Sequence, residues 1–401
     1  EPPEKVPWNL IQIMLAQEND TSVWRFLQRS FQYPLFVIPA KILLSEFPEC
    51  PEPFLSKIIV PEIVMKSIKL SVLPMLLIVV GIFINPTWGA ELTIYTYDSF
   101  NSEWGPGPVV FKRFEKQCAC KLKVVSPGDS GTVLNRVILE KANPKADILL
   151  GLNNSELEKS FSYDLWEPYR SPLLEQVPAD LRVDKKHRVT PFDYGFIAFV
   201  YNSQKIKNPP NSLQDLLDPK YRKKIVIENP KTSSPGLSML HWTIAVFGEE
   251  DYLDYWKKLE PNLLSVTNGW SAAYGMFTKG EVPIVLSYVT SPAYHLEYEK
   301  TERYRTAVFQ DGHYRQIEFA GILKGTKRIK RAREFIDFML SEKFQNAIPL
   351  TNWMFPVIQH QPLPDSFRIA PHPKRVPELN PARVNQQNSK WLKEWSRTMS
   401  Q

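Results

Sequence analysis

Leu92-Thr93-Ile94-Tyr95-Thr96-Tyr97 alternates, with Leu92 and Ile94 on one face and Tyr95 and Tyr97 on the other, which is the period of a β-strand. The strand ends at Asp98-Ser99-Phe100-Asn101. Gly105-Pro106-Gly107-Pro108 then makes a turn whose last proline suits the first position of a helix bearing Val109, Val110 and Phe114. Leu122 to Val125 is a second strand. The turn Ser126-Pro127-Gly128-Asp129-Ser130-Gly131 leads to a helix with Val133, Leu134, Val137 and Ile138 on one face, and Ile148-Leu149-Leu150 is a short buried strand. Strand, helix, strand, helix, strand in that order predicts an α/β fold with a largely parallel sheet. In open sheets of this kind ligands collect at the carboxyl ends of the strands, so Tyr97, Trp104 and Asp129 are candidate binding residues.

Further along, Phe196 to Tyr201 is a strand suited to carry the chain into a second lobe, and Asn208-Pro209-Pro210-Asn211 is a turn. Ile225-Val226-Ile227, Leu264-Ser265-Val266 and Ile284-Val285-Leu286 are buried strands. Helices fit over Gly236 to Phe247, Asp251 to Leu259 and Ala272 to Lys279, the last closing at Gly280. Tyr314 to Leu323 brings the chain back, followed by an amphipathic helix from Ile329 to Leu340 and a terminal helix carrying Trp391, Leu392 and Trp395. A chain of 401 residues is too long for one ordinary core. Two lobes are expected: one of about residues 91–195 plus the C-terminal segments, the other of about 202–315.

Upstream, Met65-Lys66-Ser67-Ile68-Lys69 precedes an apolar run from Leu70 to Ile84 and a small-residue exit ending at Gly89-Ala90, which reads as a secretory signal peptide over residues 65–90. The run is short for a bilayer span and Pro74 interrupts it. Residues 1–64 are rich in proline and lack a sustained period, so they are expected to be an upstream extension, with Met65 as the start. Export predicts a periplasmic location. The net charge of +6 is scattered over short clusters such as Lys220 to Lys224, which argues for solvated faces and against a nucleic-acid groove. Cys118 and Cys120 are the only cysteines of the exported part. Their spacing is tight for a disulfide, which an oxidising compartment still permits. The six histidines form no metal-ligating pattern, so no metal or cofactor is expected.

Aromatic residues recur beside turn residues after strands: Tyr97, Trp104, Trp270, Tyr288, Tyr294 and Trp353. Each alone is as well explained by packing. Together, facing one cleft, they form a cage for a flat or cationic ligand. Asp129 either meets such a ligand or stabilises its own turn and caps the next helix. Thr232-Ser233-Ser234-Pro235-Gly236 precedes a helix, where the amides and hydroxyls either hold an anion or serve as a serine N-cap.

Tyr95-Thr96-Tyr97-Asp98-Ser99-Phe100, Trp104 to Pro108, Lys145 to Leu152, Pro191 to Gly195, Thr232 to Gly236, Gly269 to Gly275, Leu286 to His295 and Asn346 to Met354 closely resemble, in order, the periplasmic thiamine-binding proteins. The resemblance implies a two-lobed periplasmic binding protein type II fold with a hinge and an interlobe cleft. It also implies capture of thiamine, thiamine phosphate or thiamine diphosphate, with delivery to an ABC permease and its ATPase at the inner membrane. The implied ligand shell is Tyr97, Trp104, Asp129, Ser233, Trp270, Tyr288, Tyr294 and Trp353. Ser130 takes the place of a family backbone donor, because this chain has Pro127-Gly128-Asp129-Ser130 where the family has an acidic pair before glycine. Thiaminase I is similar in fold and uses a cysteine nucleophile, but Cys118 and Cys120 lie between a helix and a strand, away from the strand-end loops, so no catalytic residue is expected. Polyamine and ferric-ion receptors share the architecture; iron would call for clustered Tyr, His and carboxylate ligands, and a polyamine for several cleft carboxylates.

Overall fold

The computed structural model describes residues 89–400. The expected extension over 1–64 and all but the last two residues of the signal peptide lie outside the described residues. Strand β1 (Gly89–Tyr95) pairs in parallel with β2 (Cys120–Val125) and β3 (Ile148–Asn153). Between them lie helix α1 (Gly107–Cys118), with Pro108 in its first turn, and helix α2 (Ser130–Leu139). The apolar stripes predicted from spacing face inward: Val110 and Phe114 on α1, and Val133, Leu134 and Val137 on α2, are all buried.

After the short β4 (Trp166–Glu167), the long β5 (Thr190–Asn202) serves two sheets. Its residues Thr190 to Phe196 pair with β10 (Arg315–Leu323), whereas Ile197 to Tyr201 pair with β8 (Ile284–Tyr288). The second sheet is completed by β6 (Ile225–Glu228), β7 (Leu263–Thr267) and β9 (Tyr304–Thr306). The chain therefore crosses between lobes at Phe196/Ile197 and returns at Tyr314/Arg315, where the Ile197 amide donates to the Tyr314 carbonyl (2.9 Å). Two extended crossings side by side are what a bending hinge needs. The crossing strands β5 and β10 run antiparallel to each other and to their other partners, so each sheet is mixed rather than wholly parallel.

In the second lobe, helix α3 (Ser234–Leu259) is interrupted at Gly248, whose φ of 80° is non-helical, which gives the two helices expected there. Helices α4 (Trp270–Thr278) and α5 (Ser291–Glu299) follow β7 and β8. Helix α6 (Ile329–Met339) returns to the first lobe, burying Phe335 and Phe338 against Phe114. The terminal helix α7 (Pro381–Thr398) departs from the expectation that the C-terminal segments join the first lobe. Its Val384, Trp391 and Trp395 enter the second core, where Trp395 packs edge-on to Trp256 at 5.7 Å. Those residues lie on one face of a helix, and α3 presents the apolar surface they cover. Cys118 and Cys120 are disulfide-bonded, with Ala119 between them in the left-handed region (φ 49°).

Candidate functional site

Strand β1 delivers Tyr97, β2 delivers Asp129, β6 leads to Ser233 and Ser234, β7 leads to Trp270, and β8 ends on Tyr288. All five strands point their carboxyl ends into one cleft between the lobes, as strand-end binding requires. The cleft contains a cavity of about 270 Å³, lined by Tyr97, Trp104, Asp129, Ser234, Trp270, Tyr274, Tyr288, Tyr294, Glu318, Asn352 and Trp353 among others. That size suits a small molecule rather than a peptide or polymer, since ligand pockets run from about 300 Å³ upward.

The aromatic wall is ordered by its own contacts. Trp270 stacks on Tyr274 with centroids 4.7 Å apart and leans on Trp104 from the other lobe at 5.8 Å. Its indole Nε1 donates to Ser287 Oγ (2.8 Å), which fixes the ring plane. Tyr294 meets Trp353 edge-on at 5.3 Å. The Tyr97 ring leaves no room for a Cβ on Gly151, where one would sit 2.2 Å from the ring, and the φ of 97° there also suits only glycine. Trp270 and Tyr294 stand in the first turns of α4 and α5, and Tyr288 ends β8, so these three rings sit on regular elements rather than in the loops expected for them.

Asp129 joins the lobes. It caps α2, and its Oδ2 accepts from Ser233 Oγ (2.7 Å) and the Trp270 amide (3.1 Å), both in the second lobe, while Oδ1 accepts from the Ser130 amide (2.7 Å). Of the predicted shell, Tyr97, Trp104, Asp129, Trp270, Tyr288, Tyr294 and Trp353 line the cavity. Ser130 and Ser233 do not: the Ser130 amide turns back to Asp129, and the Ser233 hydroxyl is taken up by the same carboxylate, leaving Ser234 and Pro235 as the lining residues of that loop. The closure is tight at Gly131, where a Cβ would stand 3.0 Å from the Thr232 backbone across the cleft. Gly131→Val is expected to hold the lobes apart and to weaken ligand binding by about 1–2 kcal/mol, roughly tenfold, without unfolding the protein. Titration with small-angle scattering checks it; a fully closed shape with unchanged affinity would count against the tight closure.

Glu318, Tyr274 and Asn352 are lining residues that sequence reasoning missed. Tyr274 was findable as the i+4 neighbour of Trp270 on one helix face. Glu318 was findable as an acid inside the apolar run Ile317-Glu318-Phe319-Ala320. Burial pushes its carboxyl up to about 8, against opposing hydrogen bonds from Tyr97 and Gln316. Burial likewise raises Asp129, Asp193 and Glu228, and carries Glu156 to about 7. Among the described residues no lysine or arginine lines the cavity. A carboxyl raised by folding contributes stability that is fully present below its unfolded value and lost as pH climbs through the folded one. The ligand-free protein is therefore expected to melt at a lower temperature at pH 8 than at pH 6.5, with a shallower slope in Glu318→Gln. A wild-type melting temperature that holds or rises over that window would contradict this.

The chain has counterparts among known proteins. Residues 143–380 match the family model described as bacterial extracellular solute-binding protein. The "Thiamine-binding periplasmic protein" of Escherichia coli K12 is 43% identical over 332 residues, covering 82% of this chain and 98% of that protein. Its Salmonella typhimurium namesake is 43% identical over 309 residues, covering 77% and 93%. The chain belongs to the periplasmic thiamine-binding proteins. A solved structure titled "Periplasmic thiamin binding protein" superposes with a TM-score of 0.72 at 42% identity, covering 78% of this chain and 96% of that one. The fold is thus the two-lobed one of periplasmic solute-binding proteins, and the relatives just given are named as binding proteins. Here the bonded sulfurs of Cys118 and Cys120 supply no thiolate, and neither residue lines the cavity. Among the described residues no helix is long and apolar enough to cross a membrane, and no group of three or more His, Cys, Asp or Glu is placed to hold a metal ion.

Proposed function

We propose that this solute-binding protein captures thiamine, with thiamine phosphate and thiamine diphosphate as further ligands, and hands it to an ABC permease driven by its ATPase at the inner membrane. The observation that carries the reading is a cavity walled by stacked rings and floored by a buried acid, with no basic side chain among the described residues that line it. Ring faces attract a cation by about 0.5–2 kcal/mol each, more where water is excluded, and a flat thiazolium or aminopyrimidine fills the space between them. The hydroxyethyl or phosphate end lies toward Ser234 and Pro235, at the N-terminus of α3, where backbone amides favour an oxygen-rich group. Ser130 and Ser233 act on the ligand through Asp129 rather than by direct contact. Capture proceeds by closure about the β5 and β10 crossings, because Asp129 and the Trp104–Trp270 contact each need both lobes. The closed shape is what the permease reads.

A polyamine would also meet Asp129 and Glu318, but a flexible chain makes poor use of a stacked wall in a short cavity. Isothermal titration of the protein, unfolded and refolded to strip bound ligand, with thiamine, thiamine phosphate, spermidine and ferric citrate tests the reading. One-to-one thiamine binding with little heat from spermidine is expected. A folded sample silent to both thiamine species would overturn it.

A further inference from the structure

Glu318 on β10 and Asp193 on β5 stand directly opposite each other in the antiparallel register. Side chains so placed have Cβ atoms about 4.5–5.5 Å apart, and like charges there repel. Asp193 is wholly buried and Glu318 nearly so. Glu318 accepts from the Tyr97 hydroxyl (2.7 Å) and Gln316 Nε2 (3.2 Å), a donor set that suits an anion. Asp193 accepts only from Asn352 Nδ2, at Oδ2 (2.7 Å), while its Oδ1 is buried with no partner. A charged carboxylate oxygen so stranded costs far more than a protonated, neutral one. The titratable groups facing the pair are Tyr97, Asp129, Glu156 and, around the Tyr288 phenol, Glu228; all are acidic and none is a cation. The positive charge that balances this floor is not supplied by the cavity walls. Glu318 itself opens onto the cavity, and Gln316 ties the pair to the wall by donating to the Tyr288 hydroxyl (2.7 Å).

We propose that Glu318 and Asp193 are the specificity-determining residues for ligand charge: the pair shares one proton when the cleft is free and releases it to solvent when a cation enters. The ligand's positive charge then stands in for the proton, one for one, and both carboxylates are ionised in the complex. A neutral molecule of the same shape leaves the proton in place and gains nothing from the pair. The inference rests on the cationic ligand proposed above. It adds that binding is linked to proton release, through residues outside the ligand shell expected from the sequence.

The test is calorimetric titration of the full chain with thiamine at pH 6 to 8, in buffers of differing ionisation enthalpy. The expected result is release of up to one proton per thiamine and an affinity that rises by up to tenfold per pH unit while the pair holds its proton, burial pushing the Glu318 carboxyl up to about 8 and raising Asp193 as well. Glu318→Gln and Asp193→Asn, both close in shape to the native residues, are expected to bind more weakly, to release no proton and to lose the pH slope. Wild-type binding of thiamine with no proton release and a flat pH profile would overturn the proposal while leaving the thiamine reading intact, and this arm needs no variant to fold. Release that persists undiminished in both variants would assign the proton to another acid and overturn it as well. No binding of thiamine at any pH would overturn the thiamine reading itself, and the proposal with it.

Discussion

Trp270→Ala is expected to weaken thiamine binding by about 2–4 kcal/mol, at least thirtyfold, while the fold persists. The indole does three things at once: it stacks on Tyr274, leans on Trp104 across the cleft, and presents its face to the cavity. Its removal takes away a cation-binding face worth about 0.5–2 kcal/mol, the buried area of a large ring, and one of the contacts that hold the lobes shut. Ser287 Oγ keeps a partner in Ser291 Oγ (2.7 Å), so no buried polar group is left stranded, and the small cluster around Ala273, Tyr274 and Phe277, which Trp270 only borders, stays packed. Calorimetry beside a thermal melt separates the two effects. Unchanged affinity would show that the wall is drawn wrongly; a collapse of the melting temperature would show that the ring belongs to the core.

Asp129→Ala is expected to cost about 2–4 kcal/mol in affinity by a different route. Both of its bonds from the second lobe, from Ser233 Oγ and the Trp270 amide, are lost, and each donor closed into the interface without a partner costs about 1–3 kcal/mol. The closed form therefore becomes less populated, and ligand must supply the difference. Small-angle scattering is expected to find the ligand-free variant more open than the wild type, and saturating thiamine to close it again. Since Asp129 also caps α2, a loss of about 1 kcal/mol in stability accompanies the change. Asp129→Asn retains an acceptor oxygen and is expected to recover most of the closure. Equal affinity in wild type and Asp129→Ala would mean that the lobes are held by other contacts.

Geometry assigns hydrogen-bond partners to the two residues that sequence leaves open, Asp129 and Ser233. Asp129 both caps its helix and faces the cavity, and the two roles are compatible because one oxygen bonds the Ser130 amide and the other reaches across the cleft. The Ser233 hydroxyl is committed to Asp129, a partner far away in sequence. Glycine or proline beside Trp270 and Tyr294 suggests loops, yet both residues stand in first turns of helices, since glycine and proline are as common at a helix start as in a turn. The terminal helix packs on the second lobe rather than the expected first for a related reason. Its apolar stripe was plain from spacing, but a stripe shows that a face is covered without showing by what.

Apart from the short β4 and β9, local pattern determined the main strands and helices and their order, the two crossings between lobes, and, Tyr274 excepted, the aromatic residues that line the cleft. These follow from alternation, helical spacing and turn chemistry, all of which act over a few residues. What only the tertiary structure decided is which side chains share a space: the Asp129 link across the lobes, the docking of α7 on the second core, and above all the Glu318–Asp193 pair. Each acid alone is an ordinary polar residue in a strand. Their opposition depends on the register between β10 and β5, which the packing of two lobes sets, and their chemistry depends on a burial that no stretch of sequence contains.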